Sequence, residues 1–159
     1  MKAVALTRYL PIDDPQSLID IELPRPVAGE HDLLVRVEAV SVNPVDTKSR
    51  SPKPQGEAQP KVLGYDAAGT VEAVGAAVTG FRPGDRVYYA GDVTRAGSNA
   101  QYQLVDARLV GHVPPSVELA DAAALPLTVL TAWELLFQRM PFDSEHGGEG
   151  KSLLIIGGA

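Results

Sequence analysis

The C-terminal residues of the chain point most directly to a chemistry. The apolar run 152–156 leads into the glycine pair Gly157 and Gly158. A dinucleotide-binding βαβ unit begins in this way, because glycine permits a tight turn and lets backbone N–H groups approach a pyrophosphate. A third glycine, a following helix and an acidic residue for a ribose are needed to complete that motif. Taken alone, the pattern is more typical of an apolar strand that ends in a turn.

Metal chemistry finds little support in the residue types. The sequence contains no cysteine, which excludes disulfides and thiolate metal ligands. Its three histidines, His31, His112 and His146, are too scattered to form a ligand pair on one helix or hairpin. We therefore expect no bound metal.

Asn43 is the other residue with an evident chemical use. Its amide offers both hydrogen-bond donors and an acceptor, so it could bind a ligand. It also precedes Pro44, and asparagine before proline is a common start of a helix. The residues alone leave both roles open.

Composition narrows the class of protein. The 159 residues are 45% hydrophobic with a formal net charge of −6, and no cluster of Lys and Arg stands out. These values favour a globular domain and make nucleic acid a poor partner. The apolar runs are too short for a signal peptide or a membrane span, which predicts a soluble cytoplasmic protein.

Most of the chain is predicted to be β structure. Alternating or continuous apolar patterns between Gly- and Pro-rich turns predict strands at 3–6, 18–23, 33–42, 69–75, 85–90, 101–105 and 109–113. The segment 51–61 lacks periodicity and is interpreted as a mobile loop. Many short strands with such turns indicate a compact barrel or sandwich.

Two helices are predicted after Pro115, at 118–124 and 126–140. The second carries an apolar stripe with helical spacing, made of Val129, Ala132, Trp133, Leu136, Phe137 and Met140. This stripe predicts that Trp133 is buried, whereas Thr131 lies off the stripe.

Several motifs resemble the medium-chain dehydrogenase/reductase superfamily, in its zinc-free, quinone-oxidoreductase-like branch. The core signature corresponds to 63–71 and 75–87, which include the Gly84-Asp85-Arg86-Val87 block. Further matching pieces follow in order at 40–46, 100–102, 125–126 and 130–133. The resemblance covers nearly the whole chain.

The resemblance implies a mainly β fold with some α: a GroES-like β-barrel catalytic domain at 1–125, a connecting helix and loop at 126–150, and the first strand of an NAD(P)-binding Rossmann domain at 151–159. That Rossmann domain would be truncated here, so the chain would be the N-terminal portion of an enzyme and inactive by itself. Family members are often dimers, so a homodimer is a further expectation.

Zinc-dependent members of the superfamily place Cys where Asn43 stands, a His-Glu pair where Tyr65-Asp66 stands, and a second Cys near Leu127. None of these positions holds Cys or His. The resemblance therefore implies a site without zinc. Asp66 keeps a carboxylate, which we interpret as pairing with an arginine, and one of Tyr88 and Tyr89 should point inward.

By the same resemblance, Asn43 contacts the nicotinamide ribose or a substrate carbonyl, and Thr131 contacts the nicotinamide ring. Gly157 and Gly158 belong to the cofactor turn. Lys48 departs from the His or Tyr of relatives; a cation there could bind the ribose or a developing enolate oxygen, and a solvated surface lysine is the alternative.

The implied activity is hydride transfer from NADPH, with NADH possible, to a small quinone, conjugated enone or aldehyde, without zinc. Two alternatives remain: a zinc-type alcohol dehydrogenase, and a non-catalytic GroES-like fragment that lacks the cofactor site.

Overall fold

The computed structural model describes residues 1–140 and 142–157. Two antiparallel sheets dominate it. In chain order the elements are β1 (Lys2–Arg8), β2 (Ile19–Glu22), β3 (Asp32–Val40), α1 (Pro44–Arg50), β4 (Gly56–Val62), β5 (Ala67–Val74), β6 (Arg86–Tyr89), β7 (Tyr102–Asp106), β8 (Val110–His112), α2 (Leu119–Ala123) and α3 (Pro126–Trp133). A short 3₁₀ turn, Ala107–Leu109, precedes β8, and a π-helical segment, Glu134–Arg139, follows α3. The mainly β fold with few helices is confirmed.

One sheet has the strand order β2-β1-β4 and the other the order β7-β3-β5-β6-β8. The segment 99–101 joins them. Val4 N–H donates to the Asn99 carbonyl at 2.8 Å, and Gln101 N–H donates to the Lys2 carbonyl at 3.0 Å. The Gln101 carbonyl in turn accepts from Val37 N–H at 3.0 Å. Backbone bonds therefore run from β1 through this segment to β3.

The main core lies on one face of the larger sheet. Its members come from four neighbouring strands, and all are at most 2% exposed: Leu33, Val35, Ala67, Val71, Val87, Tyr89 and Val105. Core residues occupy every second position at 33 and 35 on β3, at 87 and 89 on β6, and alternate along β7, while Leu34 and Ala68 are buried outside this cluster. Burying each large aliphatic side chain contributes about 1.5–3 kcal/mol before entropy is subtracted.

Glycine is required at one point in the middle of this sheet. Gly69 on β5 pairs with Val37 beside an irregularity in the β3–β5 register. A Cβ at Gly69 would overlap the carbonyl oxygen of Arg36. Only glycine lets the two backbones approach this closely.

The segment interpreted as a mobile loop is partly a strand, so that interpretation is wrong. β4 pairs with β1 through Ala5↔Val62 and Leu6↔Lys61. It is an edge strand, and its residues are mostly exposed, so no apolar alternation marks it in the sequence.

The chain divides into two compact units, Met1–Leu127 and Thr128–Ala159. The expectation that Trp133 is buried is wrong, since 51% of its surface is exposed. Its ring packs on Phe137 with centroids 4.6 Å apart. Val129, which lies on the same stripe before the π-helical segment, is also 51% exposed. An apolar stripe is buried only where another element covers it, so the spacing alone was not sufficient.

The strand expected at 152–156 is not formed. Residues 152–157 are exposed, and no strand of the described residues pairs with this segment. A strand exists only as part of a hydrogen-bonded ladder, so its apolar sequence is not sufficient. Its assignment to a Rossmann domain stays a prediction. Among the described residues, no helix combines the length and apolar character that crossing a bilayer requires.

Tyr89 offers a test of the core. Its hydroxyl is buried without a hydrogen-bond partner among the described residues, and burial raises the pKa of this phenol. Tyr89→Phe should therefore keep or raise the free energy of unfolding, by up to about 1 kcal/mol, in chemical denaturation.

Tyr9→Phe is the matched control. The Tyr9 hydroxyl donates to Glu57, so its loss should cost about 1 kcal/mol. A larger loss for Tyr89→Phe than for Tyr9→Phe would show that the Tyr89 hydroxyl has a partner.

A second test concerns acid stability. Arg95 donates from Nη1 and Nη2 to the two oxygens of Asp32, both at 2.9 Å, and this hydrogen bonding lowers the pKa of Asp32. A lowered folded-state pKa stabilises the protein above the unfolded value of about 4 and loses that effect as pH falls. Unfolding free energies measured below about pH 4 should fall less steeply in Arg95→Met. Equal slopes would contradict the assignment.

Candidate functional site

The site begins where β3 ends and α1 starts. Asn43 occupies the position before the helix, is 7% exposed, and its backbone N–H donates to Asp46 Oδ2 at 2.7 Å. Pro44 fixes the first helical residue without leaving an N–H unpaired. Asn43 thus has the helix-start position expected from its sequence.

The side chain of Asn43 also reaches Asp66. Its Nδ2 donates to Asp66 Oδ2 at 2.8 Å. The helix-start and ligand-binding roles considered for Asn43 are therefore joined by a third, a hydrogen bond to a buried carboxylate 23 positions away in the sequence.

Asp66 lies directly before β5 and is 0% exposed. Its Oδ2 also accepts from Ser41 Oγ at 3.2 Å, and its Oδ1 accepts from the backbone N–H of Leu127 at 3.0 Å. We call Ser41, Asn43, Asp66 and the Leu127 N–H the Asp66 cluster. The three donors to Asp66 are neutral. Burying its carboxyl group costs free energy, and this cost is tolerable only when such hydrogen bonds are made.

The interpretation that Asp66 pairs with an arginine is wrong. Among the described residues, no Arg or Lys forms an ion pair with it. The contact could not be read from the sequence, because the donors come from a loop and a backbone N–H far along the chain.

Gly64 shapes the approach to Asp66. It has a φ of +105°, and a Cβ there would collide with Ser98 Oγ. Ser98 Oγ donates to the Asp66 carbonyl at 3.4 Å. The glycine before Tyr65-Asp66 therefore allows a tight turn against the 97–99 loop.

Tyr65 lies beside a cavity of about 170 Å³. Its hydroxyl is 2.9 Å from Ser49 Oγ of α1. The cavity is also lined by Lys53, Lys61 and Arg95. Each of these cations already has a contact: the Tyr9 ring for Lys53, Glu57 for Lys61 and Asp32 for Arg95. Their presence therefore does not indicate an anionic ligand.

The other predicted residues do not belong to the Asp66 cluster. Lys48 is exposed on α1 and forms no ion pair among the described residues. Thr131 is exposed on α3, in the second unit, and Gly157 has a φ of +72° in an exposed turn of that unit. Gly158 lies outside the described residues. Tyr89 points inward at 2% exposure and Tyr88 is half-buried, as expected of a strand pair.

The donor set does not suit zinc. Asp66 is the only carboxylate at the positions that carry metal ligands in zinc-dependent relatives, and both of its oxygens are hydrogen-bonded. Within 1–140 and 142–157, no group of three or more His, Cys, Asp or Glu could hold a metal ion.

The alcohol dehydrogenase GroES-like domain model matches residues 29–115, which is more than half of the chain. The chain belongs to this family. It is a member of the medium-chain dehydrogenase/reductase superfamily, and the described sheets form the GroES-like part of it.

Two similar proteins carry zinc in their names. A zinc-type alcohol dehydrogenase-like protein of Staphylococcus aureus is 42% identical over 160 residues, covering 100% of this chain and 47% of its own length. A putative zinc-dependent alcohol dehydrogenase of Rhizobium etli is 56% identical with a TM-score of 0.82, over 87% of this chain and 40% of that one. This GroES-like chain spans about half the length of the relatives it matches.

A third similar protein is a solved quinone oxidoreductase. The Escherichia coli enzyme, complexed with NADPH, is 27% identical with a TM-score of 0.76, over 90% of this chain and 42% of that one. The family thus includes an oxidoreductase that binds a nicotinamide cofactor.

The metal expectation is tested on the full-length protein. Because Asp66 alone offers a ligand, protein purified without chelators should carry no zinc at this site in elemental analysis by mass spectrometry. One zinc per chain that disappears on Asn43→Ala or Asp66→Asn would contradict it.

Proposed function

We propose that the full-length protein reduces quinones or conjugated enones by hydride transfer from NADPH, without zinc. The observation that carries this is the Asp66 cluster. Where zinc-dependent relatives place ligands, this chain has an amide hydrogen-bonded to a carboxylate. The NADPH complex of the similar quinone oxidoreductase supports the choice of cofactor.

The chemistry follows from what such a site can stabilise. Without a metal to polarise an isolated carbonyl, the substrate itself must spread the developing charge. A quinone or conjugated enone does so through its π system, so hydrogen-bond donors are sufficient. A simple alcohol or ketone has no conjugated π system to spread the charge. We therefore rank the zinc-type alcohol dehydrogenase as the second candidate function.

The chain's own residues bind and orient. When bound, NADPH supplies the hydride. Asn43 would hydrogen-bond the nicotinamide ribose or the substrate carbonyl, and Thr131 the nicotinamide ring. Lys48, exposed on α1, would place a positive charge near the ribose or an enolate oxygen. Gly157 and Gly158 would lie at the pyrophosphate turn.

Substitutions of the two polar contacts test the proposal. Asn43→Ala and Thr131→Ala should each lower kcat/KM for NADPH-dependent quinone and enone reduction by about 10- to 100-fold, the loss of one hydrogen bond in the transition state. The assay follows NADPH absorbance in the full-length protein, at a temperature where circular dichroism shows each variant folded.

Thr47→Ala is the control. Its hydroxyl, exposed on α1, donates only to the Pro44 carbonyl of its own helix, so activity should be unchanged. Full activity of both Asn43→Ala and Thr131→Ala would refute the site. Zinc-stimulated oxidation of alcohols without quinone or enone reduction would establish the alternative.

A further inference from the structure

The Asp66 cluster is asymmetric in a way that bears on Asn43. One carboxylate oxygen, Oδ1, accepts from the Leu127 N–H, which is part of the helix backbone and has no rotamer freedom. The other, Oδ2, accepts from two side chains, Ser41 and Asn43. The Leu127 N–H therefore fixes the position of Oδ1, while Oδ2 contacts two side chains that can rotate.

An asparagine amide has an orientation problem. Its oxygen and nitrogen are nearly the same size, so rotation about the terminal torsion exchanges a donor for an acceptor at small steric cost. Both oxygens of Asp66 act as acceptors in this cluster, and Oδ2 lies 2.8 Å from Asn43 Nδ2. Asp66 therefore admits one of the two amide orientations.

Stability alone does not account for such an arrangement. A buried polar cluster can commonly be replaced by apolar residues of similar volume without loss of stability. What it provides instead is a defined geometry, because both oxygens of Asp66 are engaged by donors from separate parts of the chain.

We propose that Asp66 is a positioning residue: it sets the orientation of the Asn43 amide and thereby decides which polar group Asn43 presents to its ligand. This rests on the proposed function, in which Asn43 contacts the cofactor ribose or substrate. Asp66 itself touches neither and acts through Asn43, with Leu127 N–H and Ser41 holding it in place.

The first experiment needs no activity. In ¹⁵N-labelled full-length protein, the Asn43 side-chain amide resonance, assigned by its loss in Asn43→Asp, should exchange slowly with solvent. In Asp66→Asn both amide orientations become possible, and exchange should be at least about tenfold faster. Equal exchange in the two proteins overturns the proposal.

The second experiment separates positioning from folding. Asp66→Asn should lower kcat for quinone reduction by about 10- to 100-fold while the KM for NADPH changes far less, as is typical of residues that orient a contacting group. The loss should persist well below the melting temperature of the variant. Recovery of full kcat on cooling would show a merely structural role and would overturn the proposal.

Two further variants complete this test. Thr47→Ala removes an exposed hydroxyl of α1 that donates to the Pro44 carbonyl and takes no part in the Asp66 cluster, so kcat should stay near wild type. The exchange variant Asn43→Asp/Asp66→Asn restores a donor–acceptor pair in reverse, so its melting temperature should exceed that of Asp66→Asn while kcat stays low. A kcat loss in Thr47→Ala equal to that in Asp66→Asn, or full kcat in the exchange variant, contradicts the proposal.

The two hypotheses fail differently. If wild-type protein reduces neither quinones nor enones, the proposed function has failed, and amide exchange still decides whether Asp66 orients Asn43. If wild type is active and Asp66→Asn is equally active, the function stands and the positioning role of Asp66 is wrong.

Discussion

The candidate site depends on one buried hydrogen-bond acceptor, the carboxylate of Asp66. Asp66 is fully enclosed, so each of its oxygens must find a donor or the fold pays the cost of an unsatisfied charge-bearing group. The donors come from the connection after β3 and from the start of α3. Satisfying one side chain thus fixes where three separate stretches of chain meet, beside the strand that carries the main core.

The physical regularities of β structure made most of the fold predictable. Apolar runs between glycine and proline turns predicted β3, β5, β6 and β7, and buried residues alternate along β6 and β7. β4 was not predicted because it is an exposed edge strand, whose backbone pairs with β1 and which needs no apolar pattern. The burial of Trp133 was wrongly predicted because an apolar stripe is buried only where another element covers it, and both Val129 and Trp133 are 51% exposed.

The candidate site was only half predictable. The residue type and helix-start position of Asn43 were visible, and so was the carboxylate of Asp66. The contact between them was not predictable, because each residue type has another common role: helix capping for asparagine and ion pairing for aspartate. Two relatives have zinc in their names, whereas this position of the chain offers one hydrogen-bonded carboxylate.

The segment 99–101, which joins the two sheets, has a consequence for folding during synthesis. Its backbone bonds to Lys2 and Val4 near the N-terminus and to Val37 on β3. During synthesis, β1 leaves the ribosome early, yet its bonds to this segment cannot form until about a hundred residues have been translated. Pairing between such distant parts of the chain is the situation that slows β folding. Until it forms, the backbone of β1 at residues 2–4 is unpaired on one side, where a chaperone or a neighbouring nascent chain would be able to bind.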